Sequence, residues 1–148
     1  MKITVIHGPN LNMLGKREPD KYGTTSLDAI NQMLASAAQE KGVELETFQS
    51  NIEGEIVGRI QVAVRSTTDV CDGMIINPAA YTHTSIAIRD ALLLLDCPII
   101  EVHISNIFKR EPFRHRSMTA DIATGQISGL GAYGYILALD ALVRMIEK

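Results

Sequence analysis

The stretch Ile99-Ile100-Glu101-Val102-His103-Ile104-Ser105 decides how the rest of the chain is interpreted. Its apolar residues, which follow Pro98, are typical of a buried β-strand. Successive side chains of a strand point to opposite faces, so Glu101 and His103 share one face. A carboxylate in that position would orient the imidazole and favour its protonated form, as a general acid requires. The same pair could equally be a buried ion pair that only stabilises the fold.

Four further segments have the composition of strands, and helical patterns separate them. The strand segments are 2–7, 43–49, 73–76 and about 126–128, and the helical segments are 25–42, 51–64, 86–95 and about 132–147. Thr25 and Asn51 are the predicted N-caps of the first two helices. This alternation predicts an α/β fold: a flavodoxin-like, doubly wound, five-stranded parallel sheet with helices on both faces. A chain of 148 residues, 46% of them hydrophobic, is expected to form one domain over residues 1–148.

Polar side chains stand at or just after the ends of three predicted strands. They are Asn10, Asn77, His103 and Ser105. Ligands of doubly wound sheets bind beyond the carboxyl ends of the strands, so these side chains are expected to surround one crevice. The polar segment 8–24 opens from the same edge. Loops of this length in compact domains are usually functional or disordered, and we interpret this one as a candidate lid.

Other residues in these segments could contribute acid–base or binding groups. Arg17 could stabilise the phenolate of Tyr22, whose ordinary pKa is ~10, so that the pair supplies a base at neutral pH. Taken alone, Tyr22 fits an ordinary exposed loop residue better. Asn77 and His83 offer hydrogen-bond groups for hydroxyls or a carboxylate, although an Asn-Pro sequence also initiates turns. Arg114 could bind acidic or hydroxyl groups through its planar fork.

Composition argues against several classes of function. A net charge of −3 and a pI near 5.8 disfavour nucleic-acid binding. The local basic cluster 109–116 suits a small anion, although taken alone it fits a solvated loop better. No phosphate-binding glycine motif follows the first strand, and the histidines lack zinc-motif spacing, so we predict neither a nucleotide cofactor nor a metal. The aliphatic stretch 91–95 is too short to cross a membrane. Without a signal-peptide pattern or a CxxC pair, we expect a cytoplasmic protein with reduced cysteines.

Seven stretches taken together resemble one family, the type II 3-dehydroquinate dehydratases. They are Gly8-Pro9-Asn10-Leu11-Asn12, Gly15-Lys16-Arg17-Glu18-Pro19, Tyr22-Gly23, Gln49-Ser50-Asn51, 77–85 (NPAAYTHTS), 101–106 (EVHISN) and 113–117 (FRHRS). Each motif alone is modest, but their order along essentially the whole chain is specific. The resemblance implies a hydro-lyase that converts 3-dehydroquinate to 3-dehydroshikimate in the shikimate pathway to chorismate and the aromatic amino acids.

The resemblance also implies roles for individual residues. Tyr22 would be the base, with Arg17 lowering its pKa. Asn10 would hold a water that stabilises the enolate. His103, oriented by Glu101, would be the acid. The implied substrate-binding residues are Asn77, His83, Asp90, Ile104, Ser105 and Arg114.

Family membership would further imply no metal, no organic cofactor and a homododecamer built from trimers, in which a neighbouring subunit helps to close each site. Two positions depart from the family pattern: Ala79 stands where Gly is usual, and His7 where Asn is common. A positive φ at residue 79 would make the Cβ of Ala79 unfavourable. The alternative from another class is a noncatalytic small-anion-binding protein with the same fold and basic pocket.

Overall fold

A computed structural model describes residues 1–16, 20, 24–64 and 70–148 of the chain. In this part of the chain five strands form one sheet: β1 (Lys2–His7), β2 (Glu44–Gln49), β3 (Gly73–Asn77), β4 (Ile99–His103) and β5 (Gly125–Ser128). Their order is β2-β1-β3-β4-β5, and every adjacent pair is parallel. This is the flavodoxin-like strand order, so the predicted fold class is confirmed.

Helices cover both faces of the sheet. They are α1 (Leu27–Glu40), α2 (Glu53–Val62), α3 (Ile86–Leu92) and α4 (Tyr133–Ile146). Apolar residues at helical spacing pack α1 and α4 against one face, and α2 and α3 against the other. In the described segments no helix is both long enough and apolar enough to cross a membrane.

The central strands β3 and β4 divide their side chains between the two cores. Ile75 belongs to the core under α1 and α4, whereas its neighbours Met74 and Ile76 belong to the core under α2 and α3. In β4, Ile100 and Val102 enter the α1/α4 core, as the alternation of the sequence predicts. Glu101 and His103 therefore project together towards the opposite face.

Both predicted helix caps are wrong by one residue. Ser26, not Thr25, precedes α1, and its Oγ accepts the backbone N–H of Ala29 at 3.1 Å. At α2 the cap position is Ile52, because Asn51 makes a different bond. The Oδ1 of Asn51 accepts the backbone N–H of Asn10 at 2.9 Å and so ties together the segments that follow β1 and β2.

The two cysteines lie at the amino ends of the central strands, away from the edge where the polar residues gather. Cys71 precedes β3 and Cys97 precedes β4. Their Sγ atoms are 3.5 Å apart and both thiols are free. Cys71 is buried and Cys97 is half-buried.

Candidate active site

A crevice opens at the carboxyl ends of β1, β3 and β4. Its polar and charged lining residues are Asn10, Asn77, His83, His103, Ser105, Arg110 and Arg114. Asn10, Asn77, His103 and Ser105 come from strand ends and meet there, as the rule for ligand sites in doubly wound sheets predicts. The remaining members come from the turn after β3 and the segment after β4.

Most of the predicted site residues that the structure describes line the crevice, but not all of them do. Ile104 joins the crevice with the residues above, and Glu101 lies directly behind His103. Asp90 lies on α3 and does not line the crevice of its own chain. Arg17 and Tyr22 are outside the described residues.

The imidazole of His103 is held by a fully buried carboxylate. Glu101 has 0% exposure, and its Oε1 accepts a hydrogen bond from Nε2 of His103 at 2.5 Å. Three further side chains donate to the same carboxylate: Ser117 Oγ at 3.0 Å, Thr119 Oγ1 at 2.6 Å and Gln126 Nε2 at 2.8 Å. Because Nε2 of His103 carries the hydrogen in this bond, Nδ1 is the nitrogen available to a ligand.

The charge of this carboxylate follows from the balance of its surroundings. Burial alone would raise the pKa of Glu101, but hydrogen bonds from His103, Thr119 and Gln126 outweigh it and lower that pKa. Glu101 is therefore an anion at neutral pH. An anion at this position fixes the orientation of the His103 ring through its Nε2–H.

Sequence reasoning missed the three residues that share Glu101 with His103. Gln126 is directly beside Glu101 in the β4–β5 register, so a correct pairing of the last two strands would have found it. Ser117 and Thr119 lie in a loop that returns to the sheet. A path of that kind leaves no periodic signal in the sequence.

His83 contributes a neutral hydrogen-bond acceptor to the crevice. Its Nδ1 donates to the carbonyl oxygen of Arg116 at 2.7 Å, which leaves Nε2 without a hydrogen. Burial lowers the pKa of His83 despite this bond, and the positive charges of His103 and Arg114 act in the same direction. At neutral pH His83 can therefore accept a hydrogen bond from a ligand hydroxyl.

The segment after β4 supplies the positive side of the crevice. Arg110 and Arg114 both line it, and Nε of Arg114 donates to Oε2 of Glu111 at 2.8 Å. This bond restrains the guanidinium while leaving its two terminal nitrogens as donors. The resulting charge suits a small anion, as the basic cluster of the sequence indicates.

The ends of β1 and β3 approach each other very closely beneath the crevice. The N–H of Gly8 donates to the carbonyl of Asn77 at 2.8 Å, and a Cβ on Gly8 would lie 2.4 Å from the carbonyl oxygen of Pro78. Oδ1 of Asn77 accepts the N–H of Ala79 at 3.1 Å. Ala79 has a φ of 52°, in the left-handed region. The predicted positive φ is therefore present, and it makes the Cβ of Ala79 unfavourable.

Replacing Ala79 with glycine should increase the free energy of unfolding by about 1 kcal/mol, because glycine adopts a positive φ without steric cost. Chemical denaturation of the two proteins measures the difference. Ala80→Gly is the matched control: residue 80 has no positive φ, and the flexibility of glycine there should lower stability. Destabilisation by both substitutions would show that the turn does not strain Ala79.

A second buried polar group lies behind the crevice. His7 has 0% exposure; its Nδ1 is 3.1 Å from the hydroxyl of Tyr135 and its Nε2 is 2.9 Å from Oδ1 of Asn31. Burial lowers the pKa of His7 to about 4, although the bond to Asn31 opposes this shift. The sequence drew attention to His7 only as a departure from the family pattern.

The depressed pKa of His7 should make the protein less stable in acid. Between pH 6.5 and about 4 the unfolded chain binds a proton at His7 that the folded chain does not. The free energy of unfolding should therefore fall over that interval as pH decreases, by about 3 kcal/mol from this residue. Denaturation across this range tests it against His7→Asn, which should lose that part of the slope. An unchanged slope would contradict the assignment.

Taken together, these groups can perform acid–base chemistry on a small, hydroxylated anion. The crevice presents an imidazole backed by an anion, a neutral imidazole, two amides and two guanidinium groups. Within residues 1–16, 20, 24–64 and 70–148, no three His, Cys, Asp or Glu side chains are grouped in a way that could hold a metal ion.

The sequence of this chain is similar to those of proteins of one known family. The profile described as Dehydroquinase class II matches residues 1–143. A 3-dehydroquinate dehydratase of Aliarcobacter butzleri is 59% identical over 100% of this chain and 88% of the relative. This chain belongs to the class II dehydroquinase family. Another family relative, the 3-dehydroquinate dehydratase of Geotalea daltonii, is 55% identical over the full length of both chains.

Solved structures agree with this membership. The type II dehydroquinase of Propionibacterium acnes superposes with a TM-score of 0.90 at 46% identity, covering 97% of this chain and 96% of the other. The type II dehydroquinase of Butyrivibrio crossotus has a TM-score of 0.89 at 48% identity, with 97% of each chain covered. The fold described above is therefore that of a class II dehydroquinase.

Proposed function

We propose that the chain is a 3-dehydroquinate dehydratase that catalyses the reversible anti elimination of water from 3-dehydroquinate to give 3-dehydroshikimate. The observation that carries this proposal is the bond between Glu101 and His103 at the wall of the crevice, in a chain 59% identical to a protein of that name. The reaction needs one base and one acid on a small hydroxylated carboxylate, and the crevice suits such a ligand.

In this mechanism Tyr22 removes a proton from C2 of the substrate, and the electron pair passes to the ketone oxygen as an enolate. Arg17 stabilises the phenolate form of Tyr22. A water molecule held in part by Asn10 donates a hydrogen bond to the enolate oxygen. When the enolate collapses, the C1–C2 double bond forms and the C1–O bond breaks. His103 protonates the departing hydroxyl, which leaves as water.

The hydrogen bonds of His103 support its role as the acid. Its Nε2 is engaged by Glu101, so the proton given to the hydroxyl comes from Nδ1. The anionic Glu101 stabilises the imidazolium before this transfer and holds the ring in place during it. Since Glu101 keeps three other donors, its position does not depend on the protonation state of His103.

Substrate binding is assigned to the remaining lining residues. Asn77, His83 and Arg114 bind the ring hydroxyls, and the backbone of Ile104 with Ser105 holds the carboxylate. Asp90 lies outside the crevice of its own chain, so its proposed contact with substrate requires the crevice of a neighbouring subunit. This is consistent with a homododecamer of trimers. We further propose a cytoplasmic enzyme of the shikimate pathway that needs neither metal nor organic cofactor.

An ultraviolet assay tests the proposed function. Mixing the protein with 3-dehydroquinate should generate the absorbance of the conjugated enone-carboxylate product continuously and with multiple turnovers. The other candidate, a noncatalytic small-anion-binding protein, is favoured only by the two arginines of the crevice. It predicts saturable binding of 3-dehydroquinate without product, and that result would replace the catalytic proposal.

A further inference from the structure

The hydrogen bonds behind the crevice have one direction in which each buried donor meets an acceptor, and it can be followed from the turn after β3. The backbone N–H of Ala79 can only donate, so the atom of Asn77 that it meets at 3.1 Å is the acceptor Oδ1. The amide nitrogen of Asn77 must then face the other way. It lies 2.9 Å from the hydroxyl of Tyr135, to which it can only donate.

The direction continues through Tyr135 to His7. Because the Tyr135 oxygen accepts a hydrogen from Asn77, its own hydrogen is free to point to Nδ1 of His7, 3.1 Å away. Nδ1 is then unprotonated, and Nε2–H donates to Oδ1 of Asn31 at 2.9 Å. Ala79 thus donates to Asn77, and Asn77 donates to Tyr135. Tyr135 in turn donates to His7, and His7 donates to Asn31.

The side chains in the middle of this hydrogen-bond network are buried. His7 and Tyr135 have 0% exposure, and Asn77 has 3% while still lining the crevice. In such surroundings an unpaired polar group is costly, so a flipped Asn77 amide, which would oppose an N–H to the N–H of Ala79, is excluded. With one amide hydrogen on Tyr135, the second is left for a group in the crevice.

We propose that His7 and Tyr135 are positioning residues that hold the Asn77 amide so that it presents an N–H donor to the bound substrate. This inference rests on the proposed function, since it assigns the partner of that N–H to a hydroxyl of 3-dehydroquinate. Neither side chain touches the substrate. Tyr135 acts by accepting from Asn77, and His7 acts by accepting from Tyr135.

Tyr135→Phe removes one oxygen and keeps the ring that fills the core. The amide of Asn77 then has no acceptor on that side and can turn away from the productive orientation. We expect KM for 3-dehydroquinate to rise about tenfold, the size of one lost hydrogen bond, with kcat changed less than about threefold. A merely structural role predicts a lower unfolding temperature with an unchanged KM.

A double-mutant cycle tests whether Tyr135 acts through Asn77. The cycle compares Asn77→Ala, Tyr135→Phe and the double variant by kcat/KM. If Tyr135 acts through Asn77, adding Tyr135→Phe to Asn77→Ala should lower kcat/KM by less than about twofold. If the two losses multiply in full, Tyr135 acts on the substrate or the fold independently of Asn77, and the proposal is overturned.

Two substitutions of His7 separate the two ends of its ring. The side-chain oxygen of Asn can replace Nδ1 as the acceptor for Tyr135, whereas the amide nitrogen of Gln can replace Nε2 as the donor to Asn31. His7→Asn should therefore keep KM within about threefold of wild type, and His7→Gln should raise it about tenfold. The reverse order of KM values would contradict the proposed direction, whatever the two unfolding temperatures are.

Wild-type turnover distinguishes failure of this inference from failure of the proposed function. If the wild-type protein does not convert 3-dehydroquinate, both proposals are lost. If it does so but the cycle is fully multiplicative, only the positioning role of His7 and Tyr135 is lost. Thermal unfolding of every variant, followed by circular dichroism, establishes that the kinetic comparison is made on folded protein.

Discussion

Replacing His103 with alanine is expected to reduce kcat on 3-dehydroquinate by about 10²–10⁴-fold, the usual contribution of a positioned general acid. Without the imidazole, the C1 hydroxyl must leave as hydroxide or take its proton from water. KM should change much less, because the ring hydroxyls and carboxylate keep their other partners. The enone-carboxylate absorbance assay measures both constants.

Loss of activity in this variant should not come from loss of the fold. Glu101 would lose one of its donors but keep Ser117, Thr119 and Gln126, so the buried carboxylate would remain paired. Gln39→Ala is the control for a surface truncation, since Gln39 is exposed on α1 and does not line the crevice. A His103→Ala protein that is folded and retains more than about a tenth of wild-type kcat would contradict the role of His103 as the acid.

Replacing Tyr22 with phenylalanine is expected to have an effect of similar size. The substitution removes only the phenol oxygen, so the proposed base for the C2 proton is lost while the size of the side chain is nearly kept. We expect kcat to fall by about 10²–10⁴-fold. Exchange of the C2 proton with solvent deuterium, followed by mass spectrometry, should slow in parallel, because that exchange depends on the same base.

Tyr133→Phe is the control for this second substitution, because Tyr133 is 59% exposed and does not line the crevice. It should leave both rates close to wild type. Arg17→Lys tests the residue that is proposed to lower the pKa of Tyr22. The activity that this variant retains should be displaced to higher pH, since a weaker stabilisation of the phenolate raises that pKa. Near-normal turnover by Tyr22→Phe would show that another group is the base.

The fold could be predicted almost completely from the sequence because two hydrophobic patterns match the way in which its strands are buried. The continuous apolar run at 73–76 and the alternation at 99–104 reflect burial on both faces of a parallel sheet, and burial is what composition records most directly. The caps of α1 and α2 were misplaced by one residue. The side chains of Ser26 and Asn51 can each bond to several nearby backbone groups. Only the three-dimensional path of the chain decides which of these bonds forms.

The candidate site was predictable where it depends on strand ends and less so where it depends on loops. Asn10, Asn77 and His103 could be brought together because the carboxyl ends of parallel strands share one edge. The donors to Glu101 from residues 117–119 could not, because a returning loop has no periodicity. Asp90 was assigned to the substrate by resemblance, and a single chain does not bring it there.

The polar chain behind the crevice escaped sequence reasoning for a different reason. His7 ends an apolar strand and Tyr135 lies within an apolar helix, so each fits a core position when it is considered alone. Their significance comes from pairing across 128 residues of sequence, which is a property of the fold. Buried polar groups of this kind are recognised by asking which partner satisfies each of them.

The most direct test of the account is a crystal structure of the protein with 3-dehydroshikimate bound. We expect the product ring in the crevice, with Nδ1 of His103 facing C1 at a distance that one water molecule can bridge. The hydroxyl of Tyr22 should lie against C2 on the opposite face of the ring, within about 3.5 Å. A ring bound elsewhere, or a Tyr22 that remains far from C2 with the ring in the crevice, would contradict it.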